Sequence, residues 1–358
     1  MIPPGETIGI LGGGQLGRML AMAAAQLGYR CHIFAPEPDS IAADVSAAFT
    51  RAEWDDATAL ARFAADCAVI TYEFENVPVA PLGALGDALL LPGANALEVA
   101  QDRLSEKTFV TALGGTPAPF AAVDTRADLD AAIARIGAPG ILKTRRDGYD
   151  GKGQWRIKSA ADADTLPDSL FARPLVYEGF VDFDAEFSVI LCRNVAGDVR
   201  FWDSPENRHD GGILARSTVP AGRKVARQVG KARAIARAIA DKLDYVGVLT
   251  CEFFATRASD PRGPVFNEMA PRVHNSGHWT IEGAITSQFE NHVRAICGLP
   301  LGDTRLAAKG AVMDNLIGDA AHDWPAILSD PSNHLHLYGK AAARPGRKMG
   351  HVTRLILE

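Results

Sequence analysis

The first hundred residues alternate between short apolar runs and longer segments of helical length. Residues 7–11 and 31–34 are apolar runs, and the alanine-rich stretch of residues 19–27 lies between them. Strands that alternate with a helix predict a βαβ unit with parallel strands. This opening indicates a Rossmann-like α/β domain.

The next apolar run, residues 69–75, predicts a further strand that ends in acidic side chains. Glu73 and Glu75 lie two residues apart, so a continuous strand would place both carboxylates on one face. The carboxyl ends of strands in an open α/β sheet commonly line a ligand site. Residues 89–91 predict one more short strand, and the N-terminal domain is predicted to cover residues 1–98.

Helical periodicity governs three later segments. Residues 96–113 and 125–137 each predict a single helix, and residues 224–243 carry the clearest amphipathic pattern. The apolar stripe of the third segment predicts packing against a core, with its basic side chains in solvent. Residues 299–358 are predicted to form a small C-terminal domain.

Two apolar runs in the second half carry isolated acidic residues. Residues 246–254 and 264–272 predict antiparallel strands, with Glu252 on one and Glu268 on the other. A carboxylate among apolar neighbours is costly unless it is paired or metal-bound. Two carboxylates and the amide oxygen of Asn267 suit Mg²⁺, which prefers hard oxygen ligands. Solvent-facing edge carboxylates are the alternative, and the apolar flanks favour the metal.

A basic, glycine-rich stretch covers residues 143–154, between two apolar runs. It predicts a strand, a turn and a second strand. Gly148, Gly151 and Gly153 would let backbone N–H groups approach an anion, and the lysines add charge for a phosphate. An ordinary hairpin tip explains the same residues equally well, so this stretch alone leaves both interpretations open.

A GxGxxG pattern follows the first predicted strand. It consists of Gly12, Gly14 and Gly17, and Glu37 lies 20 residues beyond the last of them. This spacing is typical of a dinucleotide site and makes an NAD-dependent oxidoreductase one alternative. The match is weak, because close packing of a strand against a helix needs the same glycines. Backbone N–H groups at a helix N-terminus suit a phosphate or another anion in either case.

Two further polar segments have more than one interpretation. His274 and His278 have the spacing of a zinc pair on a helix, but Gly277 and the lack of a third ligand nearby in sequence favour a polar loop. Residues 340–351 are basic and either clamp a phosphate or form a surface tail.

Composition narrows the class of protein. The 358 residues carry a net charge of −6 and contain no apolar run of membrane-spanning length. We therefore expect neither a nucleic-acid nor a membrane partner. The five cysteines are widely spaced without a CxxC pair, which fits reduced thiols in a cytoplasmic protein. The first residues do not have the pattern of a secretory signal.

Several motifs together resemble the ATP-grasp superfamily and, within it, the 5-(carboxyamino)imidazole ribonucleotide synthase family of purine biosynthesis. The motifs are residues 13–19, 72–76, 143–146, 148–154, 267–272, 274–278 and 347–351. The resemblance spans essentially the whole chain. Met269 and Val273 depart from it, where isoleucine and proline are expected, and neither change removes a polar group.

The resemblance implies an ATP-grasp fold of mixed α/β and α+β class. A Rossmann-like N-terminal domain would precede an ATP-grasp domain over residues 99–298, with a mobile lid at about residues 115–180, and the small C-terminal domain would follow. The implied reaction joins ATP, bicarbonate and 5-aminoimidazole ribonucleotide through carboxyphosphate, and it gives 5-(carboxyamino)imidazole ribonucleotide, ADP and phosphate. It would need Mg²⁺ but no biotin, and the implied assembly is a homodimer.

Individual roles follow from the same resemblance. The ATP site would comprise Arg103, Lys143, Gly148, Tyr149, Asp150, Gly151, Lys152, Gly153, Gln154, Glu178, Gly179, Phe180, Val181, Glu186, His209, Asn267 and Glu268. The metal ligands would be Glu252, Glu268 and Asn267. The catalytic set would be Arg272, His274 and Asn275 at bicarbonate, with Glu73 and Tyr149 near the amine. The ribonucleotide would contact Gln15, Leu16, Glu73, Lys340 and Arg347.

Two other activities fit parts of the same pattern. A formate-dependent ATP-grasp transformylase acting on glycinamide ribonucleotide would use formyl phosphate instead, but residues 72–76 and 347–351 favour the carboxylating family. A nucleotide-sensing protein without turnover would not need so complete a set of polar groups. An oxidoreductase leaves Glu252, Glu268 and the glycine-rich stretch unexplained.

Overall fold

The computed structural model describes most of the chain. The described residues are 1–146, 148, 153–257, 259–260 and 262–357. Four residues that the resemblance assigns to ATP lie outside this part: Tyr149, Asp150, Gly151 and Lys152.

The N-terminal segment has the predicted βαβ arrangement. Its elements are β1 (Thr7–Leu11), α1 (Gln15–Gln26), β2 (Arg30–Ala35), β3 (Ala48–Arg51), α2 (Ala57–Ala65) and β4 (Val69–Tyr72). The strands are parallel and lie in the order β3-β2-β1-β4. Ile8 and Ile33 are almost inaccessible, as expected for a sheet covered on both faces. The predicted strand at residues 89–91 is reduced to one bridge between Ile70 and Leu90.

The predicted strand at residues 69–75 ends earlier than its pattern indicates. It stops at Tyr72, and the following residues leave the sheet. The predicted common face for Glu73 and Glu75 is therefore wrong. The Glu73 carboxylate turns toward the start of α1, whereas the Glu75 carboxylate pairs with Arg272.

The single helix predicted at residues 96–113 is two helices. They are α3 (Ala94–Ala100) and α4 (Arg103–Ala112). Asp102 separates them, because its carboxylate accepts the backbone N–H groups of Leu104 and Ser105 at 3.0 Å and so caps α4. Apolar periodicity continues across this boundary, which is why the pattern did not reveal it.

A small antiparallel sheet contains the glycine-rich stretch. Its elements are β5 (Phe120–Val123), α5 (Arg126–Ile136), β6 (Gly140–Thr144), β7 (Gln154–Ile157), α6 (Ala160–Asp164) and β8 (Leu175–Gly179), and the strand order is β5-β8-β6-β7. β6 pairs with β7, with Lys143 opposite Gln154, so the two strands predicted on either side of the stretch are confirmed. The helix predicted at residues 125–137 is confirmed as α5, which begins at a capping box formed by Thr125 and Asp128.

The second half of the chain builds a large antiparallel sheet with helices packed against it. Its strands are β9 (Phe183–Arg193), β10 (Val199–Phe201), β11 (Glu206–Asp210), β12 (Ile213–Val219), β13 (Gly247–Thr256), β14 (Val265–Ala270), β15 (Gly310–Ile317), β16 (Asn333–Leu337) and β17 (Lys348–Ile356). Its helices are α7 (Arg223–Ala226), α8 (Val229–Lys242), α9 (Thr280–Gly283), α10 (Gln288–Ile296) and α11 (Trp324–Leu328). The strand order is β14-β13-β9-β11-β12-β15-β17-β16, with β10 beside β9.

This sheet joins the central and C-terminal parts of the chain. β12 pairs with β15, so hydrogen bonds run across the domain boundary predicted at residue 299. The single amphipathic helix predicted at residues 224–243 is two helices, α7 and α8, which are separated by Arg227 and Gln228. Ile235 and Ile239 of α8 are buried in the core beside β9 and β13. Within the described residues, no helix has the length and apolar character needed to cross a membrane.

Candidate active site

Segments next to all three sheets line a cleft of about 390 Å³. The cleft contains most of the described residues that the sequence assigned to the site. These are Gln15, Leu16, Arg103, Lys143, Gly148, Gln154, Glu186, His209, Glu252, Asn267, Glu268, Arg272, His274 and Asn275. Other described residues of the assigned set lie outside its lining: Glu73, Gly153, Glu178, Gly179, Phe180, Val181, Lys340 and Arg347.

Two carboxylates face each other across adjacent strands of the cleft. β13 and β14 are antiparallel, as predicted, and Glu252 lies directly opposite Glu268. The register then shifts, so that Phe253 opposes Phe266 and leaves Asn267 as an extra residue in a bulge. Because a bulge redirects a side chain, Asn267 and Glu268 both line the cleft although they are consecutive.

The electrostatics of this pair fit a cation. Burial and the nearby Glu268 carboxylate raise the pKa of Glu252 to about 7. A divalent cation between two carboxylates and an amide oxygen would offset this repulsion with hard oxygen ligands. Among the described residues, no group of three or more His, Cys, Asp or Glu side chains is placed to hold a metal by itself. The residues thus fit an ion that takes further ligands from a bound phosphate.

Arg103 connects this carboxylate pair to the glycine-rich stretch. Its guanidinium lies 3.4 Å from Glu268 and donates to the carbonyl oxygen of Gly148 at 3.1 Å. Its backbone N–H donates to the carbonyl oxygen of Arg145 at 2.9 Å. Arg103 therefore spans the two sides of the cleft.

Lys143, Lys107 and Glu178 form a second group of charges, separate from the Arg103–Glu268 pair. Lys143 and Glu178, both assigned to ATP, form an ion pair at 2.9 Å. Burial by itself would raise the pKa of Glu178, but the Lys107 and Lys143 ammonium groups lower it to about 2. Burial and neighbouring cations lower the pKa of Lys143. Sequence reasoning missed Lys107, since a charged residue inside an amphipathic helix gives no sign of burial.

The glycine-rich turn before α1 holds a protein carboxylate. Glu73 accepts the backbone N–H of Gly14 at 2.8 Å and that of Gly17 at 3.1 Å. Gly12 has a φ of +113°, and a Cβ atom there would lie 2.7 Å from the Glu73 side chain. The anion expected at this helix N-terminus is thus supplied by Glu73. The glycines are explained by close approach of that side chain.

Polar residues on the other side of the cleft form pairs of their own. Arg272 donates to the Glu75 carboxylate. His274 lies 3.6 Å from Glu252, and burial together with the Arg272 charge holds its pKa well below the usual value, so the ring is neutral. Asn275 exchanges two amide hydrogen bonds with Asn315 of β15, at 2.8 and 2.9 Å. Sequence reasoning missed Asn315.

The two histidines with zinc-like spacing contact different groups. The Nδ1 atom of His274 lies 2.8 Å from the Ser276 hydroxyl, whereas His278 is fully buried with its Nδ1 atom 3.3 Å from the Gln288 amide. They lie around a short 3₁₀ turn, Asn275–Gly277, and not on one helix. The interpretation as a polar loop fits this arrangement.

The basic C-terminal segment presents a different cation from those chosen by sequence. Lys348 lines the cleft. Lys340 donates to the carbonyl oxygen of Lys348 at 2.7 Å, and Arg347 donates to the carbonyl oxygen of Ala342 at 2.8 Å. Lys348, the first residue of β17, thus lies with its side chain at the cleft. Alternation of side chains along β17 would have indicated this, but the sequence did not show where the strand begins.

His209 and Glu186 form the remaining assigned pair in the cleft. The His209 Nδ1 atom and the Glu186 carboxylate are hydrogen-bonded. Burial by itself would lower the pKa of His209, but the carboxylates of Glu186 and Glu252 raise it above its usual value. Glu186 lies on β9, which is next to the strand that carries Glu252, and His209 lies on β11, on the other side of β9.

Comparison with known proteins agrees with this geometry. A ribonucleotide synthetase preATP-grasp domain matches residues 5–101, an ATP-grasp domain matches residues 108–289, and a phosphoribosylaminoimidazole carboxylase C-terminal domain matches residues 311–356. N5-carboxyaminoimidazole ribonucleotide synthase of Brucella melitensis is 50% identical over 359 residues, which cover 99% of this chain and 97% of that protein. This chain belongs to the N5-carboxyaminoimidazole ribonucleotide synthase family.

Solved structures of the synthase family have the same fold. The N5-carboxyaminoimidazole ribonucleotide synthetase of Thermus thermophilus is 48% identical, with a TM-score of 0.89 over 97% of this chain and 93% of that one. The N5-carboxyaminoimidazole synthase of Aspergillus clavatus, solved with ADP and 5-aminoimidazole ribonucleotide, is 30% identical, with a TM-score of 0.89 over 98% and 93%. The predicted family and ATP-grasp fold are confirmed, and the C-terminal match favours the carboxylating family over the transformylase.

Proposed function

We propose that this chain is an ATP-dependent carbon–nitrogen ligase. It would carboxylate 5-aminoimidazole ribonucleotide with bicarbonate and give 5-(carboxyamino)imidazole ribonucleotide, ADP and phosphate. The observation that carries the proposal is one cleft with three chemical regions. Its lining includes the facing carboxylates Glu252 and Glu268, Arg103 bonded to the glycine-rich stretch, and Arg272 with Gln15.

Glu252, Glu268 and Asn267 would hold Mg²⁺. When bound, the ion would neutralise charge on the phosphates of ATP. Arg103 and Lys143 would contact the same phosphates. Arg103 now pairs with Glu268 and Lys143 with Glu178, and each cation has further N–H donors for a phosphate oxygen. Residues 148–154 would cover the nucleotide, and residues 178–181 with Glu186 and His209 would contact its adenosine part.

Two covalent steps follow from the chemistry of bicarbonate, whose hydroxide is a poor leaving group. A bicarbonate oxygen attacks the γ-phosphorus of ATP, the bond from that phosphorus to the bridging oxygen breaks, and ADP leaves. In one route the substrate amine attacks the carboxyl carbon of carboxyphosphate, and the bond from that carbon to the phosphate oxygen breaks as phosphate leaves. In the other route that bond breaks first and releases CO₂ and phosphate, and the amine then attacks CO₂. In both routes the amine loses a proton. Water must be excluded from this intermediate.

Arg272, His274 and Asn275 suit the bicarbonate step. Arg272 supplies a positive charge, and neutral His274 supplies a hydrogen-bond donor without adding charge. Charge-assisted hydrogen bonds, such as those from Arg272, hold an oxyanion more strongly than neutral ones do. The pairing of Asn275 with Asn315 would fix the orientation of its amide.

Gln15, Leu16, Lys340 and Arg347 are proposed to hold the ribonucleotide, with Glu73 and Tyr149 near its amine. Gln15 and Leu16 line the cleft at the start of α1. The Glu73 carboxylate is hydrogen-bonded to the glycine-rich turn at the start of α1. It would therefore act by fixing the position of that turn, and with it the position of Gln15 and Leu16. Lys348 is a further candidate, since it lies in the cleft.

We further propose a cytoplasmic homodimer with domain boundaries near residues 98 and 298. Five free cysteines suit a reducing compartment. Light scattering coupled to gel filtration tests the dimer, and a monomeric mass at micromolar concentration would contradict it.

The reaction itself is tested by ADP release. We expect release to require both 5-aminoimidazole ribonucleotide and bicarbonate, because carboxyphosphate forms only when bicarbonate reaches the γ-phosphorus. A coupled assay of ADP, with each substrate omitted in turn, measures this requirement. Release that needs formate and glycinamide ribonucleotide instead would establish the transformylase activity.

A further inference from the structure

β14, which carries Asn267 and Glu268, is the outermost strand in the described part of its sheet. One edge pairs with β13. On the other edge, the Phe266 N–H donates to the Thr116 carbonyl oxygen at 2.9 Å. Beyond that point no strand in the described chain continues the pairing. The backbone N–H and C=O groups along such an edge need hydrogen-bond partners other than a neighbouring strand.

Two consecutive side chains of α4 take the place of a neighbouring strand. The Glu106 carboxylate accepts the backbone N–H of Met269 at 2.6 Å, and the Lys107 ammonium donates to the carbonyl oxygen of Asn267 at 3.0 Å. These two backbone groups flank Glu268 on either side. Glu106 thus accepts from one neighbour of the proposed metal ligand Glu268, and Lys107 donates to the other.

Lys107 also reaches the small antiparallel sheet. Its ammonium lies 3.4 Å from the Glu178 carboxylate, near the end of β8 and at the first residue of the segment 178–181 proposed to contact adenine. Glu178 pairs with Lys143 as well, at 2.9 Å. Lys107 is fully buried. A buried cation is retained only where partners compensate its lost hydration, and here those partners belong to two different sheets.

We propose that Glu106 and Lys107 are positioning residues that set the metal-carrying strand against the nucleotide-binding sheet. The inference rests on the proposed function, because it assumes that ATP and Mg²⁺ occupy this cleft. When Lys143 turns from Glu178 to a phosphate, Lys107 remains as the partner that keeps Glu178 ionised and in place. The same lysine keeps Asn267 and Glu268 directed into the cleft.

Four variants separate the two contacts. Lys107→Met removes both the bond to Asn267 and the charge beside Glu178, whereas Lys107→Gln keeps an N–H donor and removes only the charge. Glu106→Leu removes the acceptor for Met269, whereas Glu106→Gln keeps an acceptor oxygen. Thr108→Ala, on an exposed position of the same helix, is the matched control.

ADP binding is measured by calorimetry with and without Mg²⁺. Lys107→Met should weaken binding about tenfold or more in both conditions, because it removes charge-assisted contacts to both sheets. Lys107→Gln should weaken metal-free binding while the gain in affinity from Mg²⁺ stays as in the wild type. Glu106→Leu should lose most of that gain, and Glu106→Gln and Thr108→Ala should keep it.

Hydrogen exchange at the Met269 amide gives a readout that needs neither ligand nor turnover. Exchange should be faster in Glu106→Leu than in Glu106→Gln, since only the leucine leaves the amide without an acceptor. If Lys107→Met does not fold, Lys107→Gln and the two Glu106 variants still decide the matter.

Equal ADP affinities, equal Mg²⁺ gains and equal Met269 exchange across the folded variants would overturn the inference. Absence of ADP binding by the wild-type chain would instead overturn the proposed function. A parallel loss in all variants, including Thr108→Ala, would assign the effect to general destabilisation of α4 and would likewise reject a positioning role.

Discussion

At the scale of single residues, the central feature is the pair of opposed carboxylates. Glu252 and Glu268 share one register position on antiparallel strands, and Glu252 has its pKa raised to about 7 by burial and by its partner. The bulge at Asn267 brings an amide oxygen to the same side. Strand alternation would place Asn267 on the opposite face from Glu268, so this arrangement depends on the irregular register.

Replacement of Glu268 by glutamine tests the metal role. Glu268→Gln should lower kcat about 100-fold or more, because a neutral amide is a weaker ligand for Mg²⁺ than a carboxylate. Its melting temperature should change little, since Glu268 is only partly buried. Steady-state kinetics over a range of Mg²⁺ concentrations measure the effect. The exposed Glu53→Gln is the control, and a near-normal kcat for Glu268→Gln at ordinary Mg²⁺ concentrations would exclude the role.

At the scale of elements, α4 links the two sides of the cleft. Its N-cap, Asp102, also accepts from the guanidinium of Arg145, which belongs to the glycine-rich stretch, at 2.8 Å. Burial by itself would raise the pKa of Asp102, but the Ser105 N–H and the Arg145 charge hold it below its usual value. The carboxylate therefore stabilises the fold above the pKa that it has in the unfolded chain, and this contribution is lost as the pH falls through the lower pKa of the folded chain.

Loss of the Asp102 carboxylate should destabilise the folded protein more than loss of a helix N-cap that has no ion-pair partner. Asp102→Ala should lower the free energy of unfolding by about 2 kcal/mol, since it removes a helix cap and a charge-assisted bond. Urea unfolding at pH 7 measures this. Asp56→Ala is the matched control, because Asp56 caps α2 through Ala59 at an exposed position. Equal losses in the two variants would show that the Arg145 contact adds nothing.

At the scale of the whole molecule, a buried histidine joins the N-terminal sheet to the central one. The Val248 N–H of β13 donates to Nδ1 of His292 at 3.1 Å, so the protonated Nε2 donates to the Thr71 hydroxyl of β4 at 2.9 Å. Both ring nitrogens are used by the neutral form. Burial lowers the pKa of His292 to about 3.

This linkage predicts acid sensitivity. Below about pH 6.5 the unfolded chain protonates His292 while the folded chain does not, so the free energy of unfolding should fall by about 1.4 kcal/mol per pH unit from this group, until its folded pKa is reached. Urea unfolding at pH 7.5, 6 and 5 measures the slope. His292→Gln should unfold more easily at pH 7.5 but show a shallower slope. The exposed His322→Gln should keep the wild-type slope, and an unchanged slope in His292→Gln would contradict the assignment.

The sequence by itself determined the class of fold and the main chemistry. Short apolar runs separated by helices specify parallel strands, and acidic residues inside apolar strands specify a charged site, because both patterns depend on local periodicity and on the cost of burying charge. Glu252 and Glu268 were found in this way. The family motifs then supplied roles that periodicity alone does not.

Only the tertiary structure decided which charges meet. The Asp102 cap ended a helix that periodicity continued, the Asn267 bulge redirected a side chain, and Glu73 filled the anion site of the glycine-rich turn. Lys107 and Lys348 have no distinguishing local pattern. Asn267 and Glu178, the partners of Lys107, lie far away in the chain. The position of a charged side chain is set by the packing of whole sheets, which no local pattern encodes.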